Sequence, residues 1–90
     1  VDWRASIEDA LQTALGAANC GLLLGGGLGG RYVYIELALR DVQRAIPIIR
    51  QVAEWKQVPM RSWLLFHDAQ WRNEWVGLVP GAPTPPGIPF

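Results

Sequence analysis

The sequence predicts an α+β fold in which two helices cover one face of a four-stranded antiparallel sheet. Two stretches carry apolar residues at the 3.6-residue spacing of amphipathic helices. The remaining ordered stretches alternate with period two, as half-buried strands do. Their order along the chain is α-β-β-α-β-β, two similar halves without a repeat of fixed period.

The first helix is read from "SIEDALQTALG", Ser6–Gly16. Ser6 and Asp9 fit an S-x-x-D capping pattern, and Glu8 and Asp9 suit the positive end of the helix dipole. Ile7, Ala10, Leu11, Ala14 and Leu15 fall on one stripe, and Gly16 serves as a stop. "CGLLLGGG", Cys20–Gly27, then reads as a short strand running into a glycine-rich connection.

"RYVYIELAL", Arg31–Leu39, is rich in β-branched and aromatic residues and forms the second strand. Val33, Ile35, Leu37 and Leu39 turn toward the helices, and Tyr32, Tyr34, Glu36 and Ala38 turn away. Asp41 caps the second helix, "VQRAIPIIRQVAEWKQ", with Val42, Ala45, Ile46, Ile49, Val52 and Ala53 inward. Pro47 interrupts it, because its missing N–H would have bonded Gln43. Either the helix kinks there, or one turn precedes a helix that starts at Pro47.

"RSWLLFHD", Arg61–Asp68, and "WRNEWVGLV", Trp71–Val79, are read as a hairpin closed by a tight Asp-Ala-Gln connection. Beyond Val79 the tail "PGAPTPPGIPF" holds five of the seven prolines and is expected to be extended with polyproline character. Its P-x-x-P spacings fit either a tail lying loosely on its own domain or an SH3-type ligand. The boundaries are one domain over 1–79 and a tail over 80–90. The order of elements suits a circularly permuted ferredoxin-like arrangement.

Gly25, Gly27 and Gly30 match the G-x-G-x-x-G spacing of dinucleotide phosphate loops. That loop works by leading from a strand into a helix whose amides face the phosphate. Here a strand follows, and Asp41 and Glu54 stand at the wrong offsets for the ribose. The run is therefore read as a hairpin loop with a bulge or positive-φ positions.

Eight basic residues balance eight acidic ones, which argues against a nucleic-acid partner or an anionic membrane surface. No stretch approaches the about 20 apolar residues that span a bilayer, and no signal peptide is evident. The chain begins at Val1 rather than Met, so its start can lie upstream. The single cysteine, Cys20, rules out an internal disulfide and reads as a small buried hydrophobe in a cytoplasmic protein. No metal-ligand spacing and no cofactor motif is present. Ser6 and Ser62 have no visible base, and Asp68 reads as a turn residue.

Five tryptophans are a heavy load for ninety residues. If Leu64, Phe66, Val76 and Leu78 join the helix-covered core, alternation puts Trp63, Leu65 and His67 on the open face with Trp71, Asn73 and Trp75. Tyr32, Tyr34 and Glu36 join them. An aromatic face of this kind marks an interface or a ligand groove, or else cross-strand pairing that stiffens the sheet. It also fits an RNA-stacking platform, but the neutral charge and missing K/R-G-F/Y-G/A-F-V-x-F/Y signature argue against that. His67 and Glu36 form an acid/base pair if both lie there.

The glycine run, "YVYIEL", "DVQRAIPIIRQV" and "MRSWLLFHD" together resemble small uncharacterised bacterial α+β (ferredoxin-like) proteins with a glycine-rich hairpin. The resemblance spans Leu22–Asp68, implies that fold, and carries over no functional residue. The expected function is a non-catalytic protein-interaction module, a homodimer whose aromatic sheet faces pack together. Neutralising another protein, as immunity proteins do, is a variant. The alternative is a small-molecule binder or minor enzyme similar to dimeric α+β barrels. It would hold an apolar ligand between sheets, with His67 or Glu36 supplying polarity.

Overall fold

The computed structural model describes residues 3–28, 33–71 and 74–85. The elements run α1 (Trp3–Ala17), β1 (Gly21–Leu28), β2 (Val33–Leu39), α2 (Val42–Trp55), β3 (Trp63–Leu65), a single 3-10 turn (Ala69–Trp71) and β4 (Trp75–Gly77). They divide into two compact units, Val1–Lys56 and Gln57–Phe90.

The four-stranded sheet is not formed. β1 pairs only with β2 and β3 only with β4, both antiparallel, giving two separate two-stranded sheets. The permuted ferredoxin-like arrangement falls with it, while the α+β class holds. One physical reason is length. β3 and β4 are three residues each and offer little edge to share with the longer hairpin. The alternation seen in "RSWLLFHD" breaks down after Leu65, because Trp71 N–H bonds Asp68 O at 2.9 Å and closes a turn. The tight Asp-Ala-Gln hairpin connection is therefore replaced by a longer link through that turn.

In the first unit α1 starts at Trp3, three residues before the expected cap, so Ser6 lies inside the helix and accepts a 2.8 Å bond from Lys56 Nζ. α1 runs past Gly16 to Ala17, and Asn19, with a left-handed φ of 54°, turns the chain away two residues later. Cys20 N–H bonds Leu15 O at 3.1 Å and Asn19 N–H bonds Gly16 O at 3.0 Å. That pair is the Schellman pattern, and its usual apolar contact falls on Leu15 and Cys20, both wholly buried. Arg44 Nη2 donates to Ala18 O at 3.0 Å and Arg40 Nη1 to Asn19 Oδ1 at 3.3 Å. Two cations thus sit at the negative end of the α1 dipole.

Asp41 caps α2 through Oδ1, which accepts Arg44 N–H at 3.2 Å. The helix runs from Val42 through Pro47, which rules out the reading in which it starts at Pro47. Gln43 and Pro47 are both exposed, so the carbonyl deprived of its N–H lies on the wet side. The core is Ile7, Leu11 and Leu15 from α1, Cys20, and Ala45, Ile49, Val52 and Ala53 from α2.

The glycine run is strand rather than loop: Gly25, Gly26 and Gly27 lie opposite Glu36, Ile35 and Tyr34. The register shifts between Leu23 and Gly25, a bulge, and Gly25 takes a φ of 157° that suits glycine. A Cβ on Gly26 would lie 2.7 Å from both Glu8 Oε2 and Tyr34 O, so glycine there lets α1 approach the hairpin. Gly27 sits under the Tyr34 ring. Ile35, Leu37 and Leu39 are half-buried, whereas Tyr34, Glu36 and Ala38 are exposed, the alternation expected of β2; Val33, expected to turn inward with the first set, is instead 48% exposed at the start of the strand. Gly30, with the hairpin's tip, lies outside the described residues.

The second unit has no buried side chain among its described residues. Leu64, Phe66, Val76 and Leu78, expected in a helix-covered core, are only half-buried. Leu78 N–H adds a 3.0 Å bond to Ser62 O, extending the β3–β4 pairing by one step.

Candidate functional site

The β3–β4 register decides which side chains share a face. Trp63 lies opposite Gly77, Leu64 opposite Val76 and Leu65 opposite Trp75. Directly opposed residues point the same way, so Trp63, Leu65 and Trp75 stand on one face, with Leu64 and Val76 on the other. Trp75 is 40% exposed and Trp63 and Leu65 are half-buried.

Trp71 is not on a strand. It ends the 3-10 turn, 37% exposed, where its ring meets Phe66 edge-on at 5.2 Å. That T-shaped geometry is one that aromatic quadrupoles favour. Phe66, assigned to a helix-covered core by alternation, is half-buried and packs against this ring.

Trp63 has two further partners. The Arg61 guanidinium lies 5.7 Å from its ring centre, within cation–π range. Its Nε1–H donates to Pro83 O at 2.7 Å. The chain reaches that position through a turn closed by Ala82 N–H on Val79 O at 3.0 Å. Pro80 and the φ of 82° at Gly81 are what a type II turn asks of its two central positions. The described part of the tail is thus a strap tied to its own hairpin. Alternation did not find Pro83, but the Pro80-Gly81 pair is a turn signal that points back toward β4.

The remaining candidates lie elsewhere. Tyr34 and Glu36 are on the exposed face of β1–β2, Tyr34 at 49% and opposite Gly27. They share no sheet with Trp63, Leu65 and Trp75. Tyr32 and Asn73 lie outside the described residues. His67 is exposed in the link after β3, so no common sheet face presents it with Glu36. The ligand cavity of a dimeric α+β barrel likewise loses the broad sheet that would wall it.

Among the described residues no three His, Cys, Asp or Glu side chains gather as a metal site requires. No described helix is long and apolar enough to cross a membrane. Cys20 is a free, buried thiol next to the α1 terminus. Gly25 and Gly27 are paired within a strand and are followed by β2, so no helix terminus stands behind them to receive a phosphate. No sequence family matches the chain, and no curated protein or solved structure matches it.

Proposed function

We propose that the chain is a non-catalytic protein-interaction module that associates with a second copy of itself through the aromatic surface of β3–β4. The observation that carries this reading is the pairing of exposed indoles with a missing core. Trp75 and Trp71 stand 40% and 37% exposed on a unit that buries none of its described side chains. Units below about 40 residues usually need a disulfide, a metal or association to be stable. Gln57–Phe90 falls under that length and contains no cysteine. Covering the indoles against a second copy supplies the missing burial, and tryptophan is the residue type that most often anchors such contacts.

Light scattering after size exclusion, over a concentration series, tests the proposal. A dimer is expected, and Trp75→Ala is expected to weaken it about thirtyfold, the effect of losing one anchor. A particle that stays monomeric at millimolar concentration overturns it.

A further inference from the structure

The structure contains a contact that the proposed dimer does not need but can use, that between Trp63 and the proline-rich segment. An indole N–H can only donate, and a proline-rich segment in extended form has carbonyls with no partner of their own. The bond from Trp63 Nε1 to Pro83 O, at 2.7 Å, joins those two kinds of group at the short end of the usual range. The seat continues at Gly77, opposite Trp63 in the register, where an added Cβ would stand 3.0 Å from Ala82 Cβ. A bare Gly77 therefore leaves room for Ala82 on the face that carries Trp63.

The hinge of this strap is small. A single backbone hydrogen bond, Ala82 N–H to Val79 O, closes it. Pro80 contributes no donor, and Gly81 holds the left-handed φ of 82°. Opening the turn gives up that one bond, and residues 80–85 then reach about 19 Å at the polyproline rise. The same segment can seat on another copy of the same hairpin with every contact reproduced, the inexpensive route to a symmetric pair.

Resting on the self-association proposed above, we infer that two copies are joined by exchanging this segment, the Pro83 carbonyl of each accepting from the Trp63 indole of the other. The seat contacts are equal in the closed monomer and the exchanged dimer, so they cancel in the equilibrium between them. What remains is the hinge, together with the indole surfaces that exchange brings side by side. A substitution that strains only the closed hinge must therefore strengthen the dimer. A face-to-face dimer without exchange has no reason to respond in that direction.

The experiment is sedimentation of the full chain beside its Gly81→Val variant. It is paired with intermolecular NOE measurements on mixed labelled and unlabelled protein. A β-branched residue at φ 82° disfavours the closed turn about tenfold, and two hinges open per dimer, so about hundredfold tighter association is expected. Contacts from the Trp63 indole proton to Pro83 and Thr84 are expected across the two copies. A dimer that Gly81→Val leaves unchanged or weakens, with those contacts confined to one copy, overturns exchange while self-association stands. Monomers throughout, for both proteins, overturn exchange and self-association together.

Discussion

The two units of this chain reach order by different means. In Val1–Lys56, α1 and α2 bury seven apolar side chains and Cys20 an eighth, and each described helix terminus at the junction between them is capped. In Gln57–Phe90 nothing described is buried, and the contacts are a short ladder, an edge-on ring pair and a strap tied to an indole. The first unit spends its aliphatic residues inward. The second displays its aromatic residues outward. Burial supplies most of the free energy that opposes chain entropy, so the first unit holds the larger share of that stabilisation, and the second is the one to which the proposed association would add it.

The largest expected contrast is in amide hydrogen exchange. Amides of Leu11, Leu15, Ile49 and Val52 open only with the whole fold, whereas those of Leu64 and Val76 open locally. Protection is expected to differ about a thousandfold or more in dilute, monomeric protein. Equal protection in both units would erase the distinction.

Next comes Leu15→Ala. Leu15 is wholly buried beside the α1 terminus, so about 3–4 kcal/mol of stability should be lost in urea titration of the helical unit. A loss below 1 kcal/mol would mean that the site collapses freely and is no core. Gly26→Val should cost about 1–3 kcal/mol by the same measurement. Glu8 can swing aside, but the Tyr34 carbonyl belongs to the paired backbone and cannot. Smallest is Asp41→Ala, expected to cost about 1 kcal/mol through the lost bond to Arg44 N–H. Thermal melting followed at 222 nm resolves that shift, and a gain in stability would contradict the capping role.

What could be read in advance follows the same division. The stripe from Ile7 to Leu15, the cap at Asp41 and the alternation of β2 are local patterns. Each is confirmed by burial or by a hydrogen bond, the alternation of β2 from Tyr34 onward. Sheet membership is not local. Whether four strands share one sheet depends on edges meeting across the chain, and period two says nothing of that. The glycine run misled in the other direction. Glycine signals a turn in isolation, but Gly26 and Gly27 are strand residues kept bare by Glu8 on one side and the Tyr34 ring on the other. At the candidate site alternation paired Trp63, Leu65 and Trp75 correctly because β3 and β4 are regular. It misplaced Trp71 because Asp68 begins a turn that resets the phase.

The arginines at the close of α1 have one more consequence. With Arg44 on the Ala18 carbonyl and Arg40 on Asn19, the end of the first helix and the beginning of the second are fastened to the same few atoms. The opposite ends are tied by the Lys56 Nζ–Ser6 Oγ bond and carry Trp3 and Trp55, 46% and 69% exposed. Each helix thus has a fluorophore at the end farthest from the junction, so fraying there is expected to change emission at temperatures where the interior is still closed.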